Sequence, residues 1–382
     1  MGDLDDVQRN WDAFGRTNPL WAVLTDPSNP DQRNEWDTDA FFRTGVEEID
    51  GVLELVSGLG LTVATDRALD FGCGVGRLSQ ALARTFARVD GVDIAASMLE
   101  AARTFNQHGD RVEYHLNARD DLRLFDDASF DFIYTNLVLQ HMEPRYSFAY
   151  LAEFGRVLKT DGVLVFMLPS GIAWEPMPDG AYRAQVTVAD VATTMAAGSS
   201  VTFDVTVRNT SPVAWDVPGL AVGNHWLDAA GTVVRVDDGR SALRDPVAAG
   251  ASVAVPLTVV APDAPGSYQL EVDVVHEYAT WFAQKGPSSV RVPVTVGPAV
   301  AAPAEASSPV DEQPGDEHAS MEMHYVGVDE VMAHLRRHHF DVVDNVHSGG
   351  DGTFNYQRYV ARKVQPTAAQ KLKAGVRRLV GR

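Results

Sequence analysis

Three glycines at alternate positions, Gly72, Gly74 and Gly76, sit inside the run Ala-Leu-Asp-Phe-Gly-Cys-Gly-Val-Gly-Arg-Leu-Ser-Gln that spans Ala68 to Gln80. An apolar strand ends in Asp70, the chain turns through residues that lack a Cβ, and an amphipathic helix follows. This is the strand, loop and helix unit at the nucleotide end of an open α/β sheet, and it predicts that fold class. The helix start would offer unpaired N–H groups and a positive dipole end to a ligand lying over the glycines. Spacing then restricts the ligand. A dinucleotide fingerprint, Gly-x-Gly-x-x-Gly, would need glycine where Arg77 or Ser79 stands. A phosphate-cradling loop would end in Gly-Lys-Ser or Gly-Lys-Thr, and none is present.

Downstream strands fill in the sheet. Val89-Asp90-Gly91-Val92-Asp93-Ile94 reads as a second strand ending in a carboxylate, placed to accept both hydroxyls of a ribose. Asp93 is the expected ligand; Asp90, at the strand start, is the weaker choice. A third strand, Val112 to Leu116, runs into Asn117-Ala118-Arg119-Asp120-Asp121. Ser129 to Asn136 reads as a fourth strand and continues through Leu137 to His141 and Met142. Leu151 to Phe166 reads as helix, turn and strand, with Thr160-Asp161-Gly162 as the turn.

In this order the motifs resemble the class I S-adenosylmethionine methyltransferases, of the type 11 and 25 kind. The resemblance implies a Rossmann-like sheet, mostly parallel with an antiparallel closing hairpin, and S-adenosylmethionine as cofactor. It implies cofactor contacts at Asp70, Gly72, Cys73, Gly74, Gly76, Asp93, Ile94, Met98, Asn117, Ala118, Asp120, Asn136 and Leu137. An Asp or Asn is expected beside the adenine amino group, and both Asn117 and Asp120 stay open for that place. Cys73 reads as a small packing residue under the cofactor rather than a nucleophile.

Charge and composition set limits. The 382 residues carry 32 Lys and Arg against 52 Asp and Glu, a net charge of −20. A broad basic face for nucleic acid is therefore excluded. One cysteine excludes a disulfide framework and a Cys-based zinc site, and no metal is expected. Met-Gly-Asp-Leu-Asp-Asp lacks the basic start and apolar run of a secretion signal, and no apolar stretch is long enough to span a membrane. A cytoplasmic location is expected.

After the fifth strand, Val163 to Leu168, helical periodicity disappears. Short alternating runs at 184–188, 200–207, 253–259 and 268–274, separated by turn signals, predict an antiparallel sandwich. Val207 to Thr210 with Trp215, and the strand Asn224 to Leu227, resemble an immunoglobulin-like domain. Residues 299–320 have the Ala, Pro, Glu and Ser composition of a linker. Val328 to Phe340 then reads as a helix, Asp341 to Val346 as a strand and Phe354 to Lys363 as another, the missing end of the first sheet. The expected organisation is a helical lid at 1–60, a discontinuous catalytic domain at 61–172 and 321–364, an inserted sandwich at 173–298, a linker at 299–320 and a basic tail at 365–382.

Candidate chemistry follows from placement. A hydroxyl acceptor must lose a proton, which favours a histidine or carboxylate near the methyl donor. His141, directly after the fourth strand, is the expected base, with a capping or packing role as its alternative. His324 and Tyr325, where the chain re-enters the domain, are the other acceptor-site candidates. Trp21, Phe41 and Phe42 read either as lid aromatics or as packing of the outer helix. His334, His338 and His339 share a helical spacing but have no carboxylate beside them, so no metal site is expected. Trp226 reads as core, whereas Trp281 could stack on a sugar. The preferred acceptor is a glycan or glycoconjugate, with a natural product or other small molecule as the rival. A non-catalytic binding protein on the same scaffold is the alternative. The tail, with Lys371, Lys373, Arg377, Arg378 and Arg382, could touch an anionic membrane surface weakly or fray in solvent.

Overall fold

The structure, a computed structural model, describes residues 4–24, 36–189, 191–298, 321–350 and 352–365. The linker and tail expectations fall outside these residues, residue 365 excepted. The chain divides into two compact units, Met1–Gly171 with Glu312–Arg382, and Ile172–Asp311.

The first unit begins with α1 (Leu4–Thr17), α2 (Pro19–Val23) and α3 (Thr38–Gly58). Asp37 caps α3 through Ala40 N–H, as a short carboxylate before a first turn should. Next come β1 (Arg67–Phe71), α4 (Arg77–Leu82), β2 (Arg88–Asp93), α5 (Ala96–Phe105), β3 (Val112–Leu116), β4 (Phe130–Thr135), α6 (Pro144–Val157) and β5 (Leu158–Ile172). β1 and β4 are buried along nearly their whole length, as parallel strands covered on both faces must be.

The second unit holds β6 (Ala184–Val188), β7 (Thr194–Ala196), β8 (Ser200–Asn209), β9 (Leu220–Leu227), β10 (Val233–Ala242), β11 (Ser252–Val260), β12 (Gly266–His276), β13 (Thr280–Trp281) and β14 (Val290–Gly297). One sheet runs β10-β9-β12-β14-β7, with β13 paired to β12; the other runs β11-β8-β6. Both contribute to one core. Phe203, Val205 and Leu257 from the smaller sheet meet Val222, Leu270, Val272 and Val294 from the larger. Trp215 and Trp226 are fully buried there. A buried indole N–H needs an acceptor. Trp215 finds Ala181 O at 2.8 Å, and Trp226 finds Asp238 Oδ2 at 3.1 Å.

The first unit is completed by α7 (Val328–Arg337), β15 (Phe340–Gly350) and β16 (Phe354–Lys363). Its seven-stranded sheet has the order β15-β16-β5-β4-β1-β2-β3. β1 to β5 pair in parallel, and β15 and β16 form an antiparallel hairpin.

Three details depart from the sequence reading. α4 has only six residues, so the dipole expected at its start is small. β5 starts at Leu158 rather than Val163, because Asp161 takes a left-handed φ of 67° and the Thr-Asp-Gly turn becomes an irregularity within the strand. α7 stops at Arg337, and His339 at φ 64° marks the turn. His334 and His338 stack on each other with centroids 4.4 Å apart, and His334 also packs on Phe148.

Candidate active site

The chain runs outward from β1 to β2 and β3, then returns to β4 on the other side of β1. The carboxyl ends of β1 and β4 therefore flank a crevice at a topological switch point, where open α/β sheets bind ligands. A cavity lies there, with about 880 Å³ of empty space including its mouth. The loops after the strands supply its floor: Phe71, Gly72 and Gly74 after β1, Asp93 and Ile94 after β2, Asn117 after β3, and Asn136, Leu137 and Val138 after β4. The glycines are needed on geometric grounds, because their backbone turns left-handed in crowded places. Gly74 has φ +50°, and a Cβ there would lie 2.5 Å from Val23 Cγ2. Gly76 has φ +82°, and a Cβ would lie 2.2 Å from the Tyr114 hydroxyl oxygen. Leu137 holds a φ of 57° without being glycine. Strained backbone of that kind collects at functional sites.

Asp93 is held rigidly at this floor. Its Oδ2 accepts Gly74 N–H at 2.8 Å and its Oδ1 accepts Ala95 N–H at 2.9 Å. Burial pushes its carboxyl up, and these backbone bonds oppose that rise. These two bonds take up two of the carboxylate's roughly four acceptor positions, and the Ile94 N–H also bears on it. Asp90 plays a different part. It is buried and bonded to Arg67 at 2.7 and 2.9 Å and to His115 at 2.9 Å, so its carboxylate is spent inside the sheet. Glu113 joins it and His115 in a metal-like grouping, but Asp90 is already satisfied by those donors.

Other expected contacts separate along the same line. Asn117 is buried in the cavity wall, and its Nδ2 holds the loop through Arg119 O and Asp121 O, whereas Ala118 and Asp120 are exposed and outside the lining. Asp70, Cys73 and Gly76 also lie outside the lining. Asp70 is 1% exposed and accepts Ser79 Oγ at 2.6 Å; burial raises its carboxyl to about 7. Its place is beneath the loop. Cys73 is buried, and burial pushes its thiol up, which removes any thiolate character. Met98 lines the cavity with Ile94.

The roof comes from the N-terminal helices. Leu4, Val7 and Trp11 of α1 and Ala22 and Val23 of α2 face the cavity. α1 is latched to α5, whose N-cap, Ala95, has no side chain to offer. Asp12 supplies the missing acceptor. Its Oδ1 accepts Ser97 N–H at 3.0 Å, and Ser97 Oγ lies 2.9 Å from Asp12 O. Gly15 permits that approach, since a Cβ there would meet Ser97 Oγ at 2.2 Å. Trp21, Phe41 and Phe42 are not in the lining; Phe41 is fully buried, and Trp36 and Phe42 pack against it, so their part is packing.

His141 lies in the wall, edge-on to Trp11 with ring centroids 5.1 Å apart. Its Nδ1 donates to Glu322 O at 2.9 Å, because a carbonyl only accepts. Burial lowers its pKa to about 4 against the opposing pull of the Glu322 and Leu137 carbonyls, so the ring is neutral at physiological pH. His324 and Tyr325 are not in the cavity. His324 N–H bonds to Gln140 O at 2.8 Å and its ring reaches Glu322, while Tyr325 is 42% exposed. The returning chain serves the site through its backbone.

Sequence reasoning missed a network behind the floor. Glu48 of α3 accepts Tyr134 Oη at 2.8 Å and Asn136 Nδ2 at 2.8 Å on Oε1, and Arg77 Nη2 at 2.7 Å on Oε2. Arg77 Nη1 reaches Thr44 Oγ1 at 3.2 Å. Arg77 and Asn136 both line the cavity, yet among the described residues Arg77 Nε and Asn136 Oδ1 are buried without a partner. No local spacing could have revealed contacts between residues 29 to 88 positions apart.

Parts of the chain are similar to known proteins. Residues 69–166 match the family model described as a methyltransferase domain. A stretch of 137 residues is 36% identical to a protein of Xanthomonas euvesicatoria named ubiquinone biosynthesis O-methyltransferase, covering 36% of this chain and 46% of the relative. Another of 77 residues is 40% identical to the Xylella fastidiosa protein of the same name, covering 20% and 31%. The chain thus spans less than half the length of these two relatives. Among solved structures, an S-adenosylmethionine-dependent methyltransferase from Clostridium acetobutylicum is similar at 13% identity and a TM-score of 0.40, over 87% of this chain and 94% of that one.

Proposed function

We propose that this chain, whose residues 69–166 match a methyltransferase domain, transfers a methyl group from S-adenosylmethionine to a hydroxyl of a small molecule with an apolar body. The observation that carries the reading is Asp93. Its carboxylate is fixed by two backbone N–H groups at the cavity floor and retains acceptor sites for the two hydroxyls of a ribose. Ile94, Met98 and Asn117 would hold the base, and the unpartnered Arg77 Nε and Asn136 Oδ1 fit the charged end of the same ligand.

When bound, the cofactor supplies an activated methyl group, so the protein's tasks are alignment and exclusion of water. Leu4, Val7, Trp11 and Val23 exclude water from above and favour an apolar acceptor. His141 takes the proton. With Nδ1–H committed to Glu322 O, Nε2 is the accepting atom, and the carbonyls of Glu322 and Leu137 stabilise the imidazolium as it forms. Its low basicity suffices because an oxygen undergoing alkylation becomes strongly acidic. The relatives' names, which specify an O-methyltransferase, support oxygen as the acceptor atom.

A glycan acceptor is the second reading. It draws on the all-β unit, which we read as immunoglobulin-like. On the side of its larger sheet away from the core, Trp281 packs with His225 at 4.2 Å and beneath Arg240 at 4.6 Å. Titration with S-adenosylhomocysteine tests the primary reading. The wild type should bind, and Asp93→Ala should bind at least about 30-fold more weakly, from loss of charge-assisted hydrogen bonds. Absence of binding, or equal binding by the variant, would overturn it. Transfer of labelled methyl into apolar small-molecule fractions rather than glycan fractions separates the two acceptors.

A further inference from the structure

We infer that Glu48 is a positioning residue that makes the site selective for a ligand ending in an amino-acid zwitterion. The inference rests on reading the cavity as the S-adenosylmethionine site. An ionised carboxylate only accepts hydrogen bonds, so Glu48 Oε1 fixes which end of the Asn136 amide it holds. Nδ2 is committed to Glu48, and Oδ1 is left as a buried acceptor in a cavity-lining residue. The same carboxylate, through Oε2, holds Arg77 Nη2, while Thr44 holds Nη1. Arg77 is 4% exposed and lines the cavity with Nε unpartnered.

A buried donor and a buried acceptor left open together are costly unless a ligand completes them. A cationic donor matches a carboxylate, and an amide oxygen matches an ammonium. A zwitterionic α-amino acid group carries both on one carbon. Glu48 belongs to α3, outside the glycine loop, so it links the N-terminal helices to the identity of the ligand. Replacing it by Gln preserves the shape but leaves one oxygen for two donors, so an N–H group must face either Arg77 Nη2 or Asn136 Nδ2, and one of the two loses its hold.

The test uses the full-length protein and calorimetric binding of two ligands. S-adenosylhomocysteine carries the amino-acid end, and 5′-methylthioadenosine shares the adenosine and thioether but lacks that end. Glu48→Gln should weaken the first about 10- to 100-fold, the range for one or two hydrogen bonds to charged groups. It should leave the second within about twofold, which also reports that the variant is folded. Asn136→Leu, which removes the acceptor without touching Glu48, should show the same split. Equal weakening of both ligands in Asn136→Leu, or unchanged S-adenosylhomocysteine binding in Glu48→Gln, overturns the inference. A wild type that binds neither ligand overturns the function reading instead.

Discussion

Asp70 offers a quantitative test of how the glycine loop is supported. Its carboxyl is 1% exposed, and burial raises it from 3.8 to about 7, against the opposing effects of Ser79 and the Arg77 charge. In the unfolded chain the same group ionises near 4. Between about pH 4 and 7 the folded state therefore holds a proton that the unfolded state has lost, and stability falls as pH rises. At about 1.36 kcal/mol per pH unit, the full loss is about 4 kcal/mol, of which about 2 to 3 kcal/mol falls between pH 5 and 8. Asp70→Asn removes the titration but keeps an oxygen for Ser79 Oγ, now 2.6 Å away. Urea denaturation of both proteins at pH 5 and pH 8 should show the variant gaining about 2 to 3 kcal/mol on the wild type over that interval. Groups not coupled to Asp70 cancel in the comparison. Because Asp70 is outside the cavity lining, affinity for S-adenosylhomocysteine should stay within about threefold, well below the loss of one charged hydrogen bond. A stability difference independent of pH, or a variant that loses ground to the wild type toward pH 8, would refute the reasoning.

Two further outcomes follow from the roof and wall. With its pKa near 4, His141 should stay almost fully neutral at pH 5.5, so methyl transfer there should match that at pH 7.5; a rate about tenfold lower, as an ordinary histidine near 6.5 would give, contradicts the assignment. Asp12→Ala removes the cap that α1 provides for α5, worth about 0.5 to 2 kcal/mol. Residues 4–24 should then be cut faster by protease and S-adenosylhomocysteine should dissociate sooner; identical cleavage rates would show that the latch does not hold the roof.

The cavity floor was legible in the sequence because its parts follow directly from strand ends. Gly72, Gly74, Asp93, Ile94, Asn117, Asn136 and Leu137 each sit at a strand's last residue or within three residues beyond it, where chain order alone dictates position. The alternating runs of the second unit were legible for a similar reason, since period-two burial is a local property; β8 alternates exposed and buried residues along most of its length. The Asn117 and Asp120 alternatives could not be separated by spacing. The structure puts Asn117 in the cavity lining and leaves Asp120 exposed outside it, because Asn117 N–H bonds to Asp93 O and carries the β2–β3 pairing one residue further into the wall. Trp11, Asp12 and Glu48 left no local trace. Their partners lie far away in sequence, and an amphipathic helix at the N-terminus looks the same whether it covers a ligand or a sheet. His324 and Tyr325 were misplaced for the complementary reason: the returning segment approaches His141, but with its carbonyls rather than its side chains.

Charge at the cavity explains why this glycine loop suits one nucleotide class over another. Arg77 is the only Lys or Arg among the described lining residues, and Glu48 already neutralises it. Asp93 lies in the floor, with Asp12 close enough to act on its ionisation and Asp70 beneath the loop. A pyrophosphate entering here would set two or more negative charges beside Asp93 with only the Glu48-paired Arg77 to offset them, which costs more in a low-dielectric pocket than in water. A sulfonium would meet the opposite field. On the proposed reading, the alternating glycine spacing and the missing Gly-Lys pair have an electrostatic counterpart: the loop admits a close backbone approach, and Asp93 beside it favours a cation over a pyrophosphate.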